Sequence, residues 1–220
     1  MSQKTPFEAG GRQLDPIMEE VRANFAGKNE AREAALAACR EALRHSANAI
    51  RSVHRADFAA AEDLLARASQ LLAEAKAALE RHADIFYAGF VHNAQKEFAE
   101  ACITLAIIAG RPLPTPQSLE VEYAAYLNGL GEAVGELRRH LLDSLRSGDM
   151  DHCESCLAIM DDIYGVLVTF DYPEAMTGGL RRTTDAVRGI LERTRGDLTL
   201  AVRQRDLERR LGEFEARMGL

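Results

Sequence analysis

The sequence predicts an all-α protein, an antiparallel bundle of about seven helices, and three observations support this prediction. Helix-forming Ala, Leu, Glu and Arg dominate the 220 residues, whereas aromatic residues make up only 6% and Trp is absent. Apolar residues recur at three- and four-residue spacing, and no segment alternates convincingly with period two. Prolines and glycines cluster at a few points, which divide the chain into long helical segments.

Several residues suit the starts and ends of these segments. Asp15 is a potential N-cap of the first helix, Pro16 suits its first turn, and Asp57 is a potential N-cap of the third helix. The stretch GRPLPTP, with three prolines in five residues, ends the fourth. The predicted helices span approximately residues 14–27, 29–56, 58–82, 84–109, 118–148, 149–170 and 179–217. We predict a flexible tail over residues 1–13 and one all-α domain over residues 14–220.

The predicted helices are longer than the average of roughly 11–12 residues in globular proteins. Apolar stripes on helices of this length are difficult to bury within a compact monomer of 220 residues. We therefore expect the protein to self-associate.

Composition and charge limit the possible functions. A formal net charge of −7 argues against a protein that coats polyanions generally, although it does not exclude a local basic surface. The N-terminal stretch MSQKTPFEAGGRQLD lacks the apolar core of a signal peptide, and no apolar run is long enough for a membrane span. Four scattered cysteines are typical of reduced thiols. These features predict a soluble, cytoplasmic protein.

Acidic residues of the fourth and sixth predicted helices form one candidate site. Glu97 and Glu100 are three residues apart in HNAQKEFAEACITLAIIAG, and Asp149, Asp151 and Glu154 begin the sixth helix. If these helices pack together, their carboxylates converge and need a hard cation such as Mg²⁺ or Mn²⁺. Glu-x-x-Glu is also common on solvated helix faces, and Asp near a helix start often caps it. Spacing alone leaves both interpretations open.

The stretch DHCESC contains a single Cys-x-x-Cys motif, Cys153 and Cys156, beside His152. A zinc site requires about four ligands, and a second ligand pair does not appear in the sequence. A thioredoxin-type motif requires a βαβ context, which the pattern does not predict. We therefore predict that both cysteines pack in the core.

Basic residues are concentrated along the second predicted helix and continue into the fourth. The candidates for contact with nucleic acid are Arg40, Arg44, Arg51, His54, Arg55 and Lys96. They are interpreted either as an electropositive stripe for phosphates or as ordinary long side chains at helix contacts, and the sequence does not favour one over the other.

The segment EYAAYLNGLGEAVGELRRHLLDSLRSGDMD resembles the translin/Trax family. In that family a Tyr-Leu-x-Gly element precedes Glu-Leu-x-Arg and then a Gly-Asp stop, and here these elements begin at Tyr126, Glu136 and Gly148. EAREAALAACREALRHSANAIRSVHR is similar to the family's first long helix, and FVHNAQKEFAEACITLAIIAG to the helix that carries the acidic pair of Trax. MTGGLRRTTDAVRGILERTRGDLTLA is typical of archaeal and bacterial members. The resemblance covers nearly the whole chain after residue 15.

The resemblance implies all-α subunits that assemble into hollow, roughly octameric shells and bind single-stranded RNA or DNA inside. Trax-like subunits cleave RNA with a Mg²⁺-dependent set of carboxylates, whereas translin subunits mainly bind. The acidic pair falls on Glu97 and Glu100, and the third carboxylate on Asp151. Ser155 occupies the fourth position. Glu154, one residue earlier and therefore rotated by about 100° around the helix, is the candidate substitute.

We accordingly expect a homo-oligomeric, Mg²⁺-dependent endoribonuclease acting on single-stranded RNA, with Mn²⁺ as a possible alternative ion. Its expected catalytic and metal-binding residues are Glu97, Glu100, Asp151 and Glu154. The first alternative, motivated by Ser155, is a non-catalytic shell that binds single-stranded RNA or DNA. The second is a helical scaffold with neither property, which is the default for a charged all-α chain.

Overall fold

The computed structural model describes the backbone of residues 6–218 and the side chains of residues 14–218. Within these residues all regular secondary structure is α-helical, which confirms the predicted fold class. The helices are α1 (Pro6–His54), α2 (Phe58–Ala78), α3 (Ala83–Phe86), α4 (Phe90–Ile108), α5 (Pro116–Leu119), α6 (Tyr123–Ser147), α7 (Met150–Leu167), α8 (Glu174–Thr177) and α9 (Leu180–Met218).

The first two predicted helices form the single helix α1. It continues through Pro16 and Gly27, so the prediction that Asp15 caps a helix start was wrong. Proline costs about 3 kcal/mol and glycine about 1 kcal/mol inside a helix. The helix propensity of the many surrounding Ala, Leu, Glu and Arg residues outweighs these two costs. Residues 1–5 of the predicted tail lie outside the described residues, whereas residues 6–13 have helical backbone.

The other helix limits follow the local signals closely. Asp57 is the N-cap of α2, because its carboxylate accepts a hydrogen bond from the backbone N–H of Ala60 at 3.2 Å. The fourth predicted helix is divided into α3 and α4 by a break at residues 87–89. The short helices α5 and α8 lie in the two proline-containing stretches that separate the long helices.

Helix α6 lies at the centre of one half of the bundle. It packs against α4, α7 and α9, while α4 also packs against α1 and α2. Its apolar face is fully buried at Ala133, Val134, Leu137 and Leu141. Burial of one such Val or Leu side chain contributes about 1.5–3 kcal/mol, so the orientation of α6 is strongly fixed. Polar side chains on the flanks of α6 are therefore held against its neighbours.

The N-terminal part of α1 and the C-terminal part of α9 extend away from this core. The described side chains of residues 14–27 and of residues 202–218 are all exposed. Both segments nevertheless carry large apolar residues at helical spacing: Leu14, Ile17, Met18, Val21 and Phe25 on α1, and Leu207, Leu211, Phe214 and Met218 on α9. Exposed apolar stripes of this kind are typical of interaction surfaces.

Among the described residues, no helix combines the length and the apolar character that crossing a membrane requires.

Candidate metal centre

Helices α4 and α6 bring three carboxylates together. Glu97 and Glu100 on α4 and Glu132 on α6 place carboxylate oxygens within 4.8 Å of one another. Glu100 is buried, with 8% of its surface exposed, whereas Glu97 and Glu132 are half-buried. We refer to these three residues as the carboxylate cluster. Its innermost member is removed from water, and its outer two members face the surface.

A glycine allows the two helices to approach closely enough to form this cluster. A Cβ atom on Gly129 would lie 2.7 Å from the backbone carbonyl oxygen of Lys96 and 2.9 Å from the backbone nitrogen of Glu100. Side chains are not tolerated at such distances, so only glycine fits between α4 and α6 at this point. Glu132 follows Gly129 by almost one helical turn, which places its side chain beside that of Glu100.

The electrostatics of the cluster are unbalanced. Burial raises the pKa of Glu100 to about 8, with further contributions from the negative charges of Glu97, Glu132 and Glu136. Lys96 Nζ donates a hydrogen bond to Glu132 Oε1 at 2.7 Å and lies 3.5 Å from Glu97 Oε1. Burial lowers the pKa of Lys96, but these carboxylates more than offset it, and the pKa is raised overall. One ammonium group is not enough to neutralise three carboxylates.

The donor set fits a hard divalent cation. All three side chains offer oxygen atoms, which Mg²⁺ and Mn²⁺ prefer over nitrogen or sulfur. The cluster opens into a groove of about 500 Å³, which is also lined by Arg182, Thr183 and Ile190. This volume is within the range of sites that hold small ligands. The groove therefore offers a cation, held by the cluster, direct access to a molecule bound beside Arg182.

A fourth carboxylate lies one turn further along α6. Glu136 Oε2 is 2.5 Å from Nε2 of His54, which is in the last turn of α1. The hydrogen bond with His54 lowers the pKa of Glu136, even though burial opposes this shift. The side chain of His54 is only 4% exposed. His54 and Lys96, both predicted to contact nucleic acid, are thus engaged with carboxylates of α6.

The other four predicted contact residues, Arg40, Arg44, Arg51 and Arg55, are all exposed and form what we call the arginine stripe. Arg40, Arg44 and Arg51 fall within about 40° of one another around α1 and span about 17 Å at 1.5 Å per residue. Arg55 lies one residue beyond the end of the helix. Arg44 pairs with Glu41 on its own helix. These four arginines are therefore exposed, and whether they bind phosphates stays a prediction.

Asp151 and Glu154 are not part of the carboxylate cluster. Both are exposed, and Glu154 lines a separate groove with Arg195 and Arg203 of α9. Helix α7 packs against α6 and α9, whereas α4 packs against α1, α2 and α6. The convergence expected between Glu97 and Glu100 on one helix and Asp151 on the other does not form among the described residues.

The start of α7 is stabilised by local hydrogen bonds. Asp149 is the N-cap, and its carboxylate accepts a hydrogen bond from the backbone N–H of His152 at 3.1 Å. Ser155, at the expected fourth carboxylate position, donates its hydroxyl proton to the backbone carbonyl of Asp151 at 2.8 Å. Both interactions stabilise the helix and neither requires a ligand.

Glu132 is the site residue that reasoning from the sequence missed. The available signal was Gly129 followed by Glu132 and Glu136 on one face of the fifth predicted helix. A glycine inside a helix often marks the close approach of another backbone, and acidic residues beside it are candidates for a shared site. Glu136 is part of the family motif, whereas Glu132 is not.

The described residues form an all-helical bundle with a partly buried carboxylate cluster, and comparison with known proteins agrees with the all-helical fold. AfC3PO, in a structure of its complex with duplex RNA, is 36% identical, with a TM-score of 0.78 over 86% of this chain and 97% of that chain. A crystal structure of AfC3PO gives the same identity and TM-score. The chain belongs to the translin (C3PO) family, as the sequence resemblance predicted.

Two further comparisons are more distant. Apo-NeC3PO has the same fold, with a TM-score of 0.70 and 20% identity over 91% of this chain and 100% of that chain. An uncharacterized protein of Methanocaldococcus jannaschii is 29% identical over 188 residues, which is 85% of this chain and 83% of that protein. No family model matches the sequence.

Proposed function

We propose that the chain is a subunit of an oligomeric RNA-binding protein that cleaves RNA endonucleolytically with Mg²⁺ held at the carboxylate cluster. The observation that carries this proposal is the convergence of Glu97, Glu100 and Glu132 at the edge of an open groove, where a single lysine contacts two of them. Membership of the translin family supports RNA as the ligand, because AfC3PO is similar over most of its length and has a structure with duplex RNA.

Binding would rely on the exposed arginine stripe. Arg40, Arg44 and Arg51 offer guanidinium groups along about 17 Å of α1, with Arg55 just beyond its end, and such a row suits successive phosphates of one strand. The last residue of the stripe, Arg55, follows His54, which contacts Glu136 one turn along α6 from Glu132. A strand bound to the stripe would then approach the groove from the end of α1.

At the groove, the residues of this chain have different roles. Glu97, Glu100 and Glu132 would hold the cation, and Lys96 orients two of these carboxylates through its contacts with Glu97 and Glu132. The bound Mg²⁺ would neutralise phosphate charge and promote attack by water. Arg182 lines the same groove and is placed to contact a phosphate oxygen.

Assembly is part of the proposal. The apolar stripes on the extended parts of α1 and α9 remain exposed in the single chain, and association of several chains would bury them. The family resemblance implies a hollow, roughly octameric shell. Light scattering measures the mass directly, and a protein that is monomeric at micromolar concentration would contradict the assembly.

The cleavage test uses labelled single-stranded RNA and a matched duplex, each with Mg²⁺ and with EDTA. We expect products from the single strand that depend on Mg²⁺ and that disappear in Glu97→Gln, since loss of one ligand removes several kcal/mol of metal-dependent stabilisation. Cleavage that persists unchanged in Glu97→Gln would place the activity elsewhere.

A non-catalytic shell is the alternative, and Ser155 at the expected fourth carboxylate position favours it. The same samples distinguish the two functions. Tight, salt-sensitive RNA binding with no Mg²⁺-dependent product selects the shell. Absence of RNA binding at low salt would contradict both the nuclease and the RNA-binding shell.

A further inference from the structure

A second cluster of ligand side chains lies where α6 meets α7, away from the groove. His140 of α6 and His152 of α7 place their Nε2 atoms 2.8 Å apart, and Cys156 Sγ is 3.6 Å from His152 Nε2. Cys156 is 4% exposed, and the two histidines are half-buried. We propose that His140, His152 and Cys156 bind a zinc ion.

The local structure fixes all three side chains. Helix α6 ends at Gly148, whose φ of 82° is in the left-handed region that favours glycine, and α7 begins at the N-cap Asp149. This tight turn folds α7 back against α6, so that His140 faces His152. His152 and Cys156 are four residues apart and therefore on one face of α7.

Two of the three distances between the donor atoms are close to those around tetrahedral zinc, and all three atoms lie within 4.8 Å of one another. With Zn–N of about 2.0–2.1 Å and Zn–S of about 2.3 Å, two nitrogens lie about 3.3 Å apart and a nitrogen and a sulfur about 3.6 Å apart. The observed Nε2–Sγ distance is 3.6 Å, and the two Nε2 atoms, at 2.8 Å, need to separate by only about 0.5 Å. Three protein ligands leave a fourth coordination position for water or another donor.

A hydrogen bond can fully satisfy only one of the two contacts at His152 Nε2. Each imidazole nitrogen has either one proton or one lone pair. Nε2 of His152 is nevertheless shared by His140 Nε2 and by the Cys156 sulfur. Whichever tautomer His152 adopts, its two neighbours compete for one position. A cation at the centre accepts a lone pair from each of the three atoms and removes this competition.

The protonation states allow zinc to bind with one proton released. Burial, together with the neighbouring His152 and His54, lowers the pKa of His140, so its imidazole is neutral and available as a ligand at neutral pH. Burial raises the pKa of the Cys156 thiol to about 11. Zinc binding therefore displaces the thiol proton to solvent and forms a Zn–thiolate bond.

The test is a Co²⁺ titration of the reduced, chelator-treated full chain, followed by competition with Zn²⁺. We expect thiolate-to-cobalt charge-transfer absorption at one equivalent, which Zn²⁺ abolishes and which excess Mg²⁺ leaves unchanged. Cys156→Ser should remove this absorption and weaken zinc binding by at least about 100-fold. His140→Gln should also weaken it by more than about 10-fold. The readout is metal binding alone, so it stands whether or not the chain cleaves RNA.

Cys153→Ser is the matched control, because Cys153 is equally buried on the same helix but its thiol faces the Leu141 carbonyl at 3.4 Å. This variant should keep the charge-transfer absorption. Absorption that survives in Cys156→Ser, or that is lost equally in Cys153→Ser, would overturn the proposed ligand set. Absence of Co²⁺ and Zn²⁺ binding in the folded wild-type chain, checked by circular dichroism, would overturn the site itself.

Discussion

The two ligand clusters on α6 differ in how their charge is balanced. Glu132 and His140 are eight residues apart, which is about 12 Å along the helix. The carboxylate cluster combines three acidic groups, two of which contact one lysine, whereas the cluster of His140, His152 and Cys156 consists of two imidazoles and a thiol. The first offers hard oxygen ligands and the second offers nitrogen and sulfur.

Because of this difference, the two clusters affect the stability of the metal-free protein differently. Unbalanced buried carboxylates destabilise the protein until a cation or a proton compensates them. Two imidazoles and a buried thiol impose less of this cost, since they pack and hydrogen-bond within the core. The carboxylate cluster should therefore be detectable from the stability of the metal-free protein. The cluster of histidines and cysteine should be detectable only when a suitable metal is added.

The largest expected effect separates the carboxylate cluster from the start of α7. Glu132→Gln should lower the rate of Mg²⁺-dependent RNA cleavage by about 100-fold or more, because it removes a ligand from the cluster. Asp151→Asn changes a side chain that is exposed and outside the cluster, and should lower the rate by less than about threefold. Single-turnover cleavage assays measure both. The reverse order would assign the third ligand to Asp151, as the family resemblance implied.

The next effect concerns the helix contact that forms the carboxylate cluster. Gly129→Ala should destabilise the protein by about 2–3 kcal/mol, because the new methyl group forces α4 and α6 apart. Thermal unfolding should shift downward by roughly 4–12 °C. Gly135→Ala is the control on the same helix, since a Cβ there meets nothing within 4 Å, and it should stabilise by up to about 1 kcal/mol. Equal behaviour of the two variants would mean that this contact does not determine the cluster.

A smaller effect tests the charge imbalance itself. The pKa of Glu100 is raised from 4.5 to about 8, so the folded state binds more protons than the unfolded state between these values, and stability falls as pH rises through this range. In EDTA at pH 8, Glu100→Gln should therefore be more stable by about 1.5 kcal/mol, or roughly 3–6 °C in Tm. The difference should vanish below pH 4.5.

The matched control for this comparison is Glu30→Gln, which changes an exposed glutamate on α1. It should leave Tm unchanged within about 1 °C at both pH values. A Glu100→Gln protein that is less stable than wild type at pH 8 in EDTA would show that the carboxylate is already compensated.

The smallest expected effect tests whether the arginine stripe contacts the RNA that is cleaved at the carboxylate cluster. Arg44→Ala and Arg51→Ala should each weaken RNA binding by less than about tenfold and reduce the slope of log K against log salt by about 0.7. Arg67→Ala, an exposed position on α2 outside the stripe, should change neither quantity. Unchanged slopes in both stripe variants would exclude the stripe as the phosphate contact. Fluorescence anisotropy at several salt concentrations provides the measurement.

Much of the fold could be predicted because its signals are local. The prolines after α4 remove backbone donors, and Asp57 caps α2 with its own side chain. The interruption expected at Gly27 did not occur, since helix propagation over many favourable neighbours outweighs one glycine. Whether a weak breaker ends a helix depends on its surroundings, which a single position does not reveal.

The candidate sites could be predicted only in part, because they depend on which helices meet. Glu97 and Glu100 were recognisable as a pair, but their partner Glu132 is set by the close approach at Gly129. Likewise His152 and Cys156 share a helix face, and His140 joins them only because α7 turns back along α6. The sequence shows directly which residues share a face of one helix, whereas the contacts between helices depend on the packing of the whole core.

Lys96 acts as a built-in counterion of the carboxylate cluster. Its ammonium group holds Glu132 at 2.7 Å and lies close to Glu97, so the carboxylates stay in place when no divalent cation is bound. An incoming Mg²⁺ has to compete with the ammonium group of Lys96, and this competition weakens the affinity of the cluster for Mg²⁺. The carboxylates, however, need little rearrangement to bind the ion, because Lys96 already holds them in place. On the proposed function, occupancy of the centre would follow the free Mg²⁺ concentration around the protein. The subunit would then respond reversibly to its ionic surroundings instead of retaining a permanent metal.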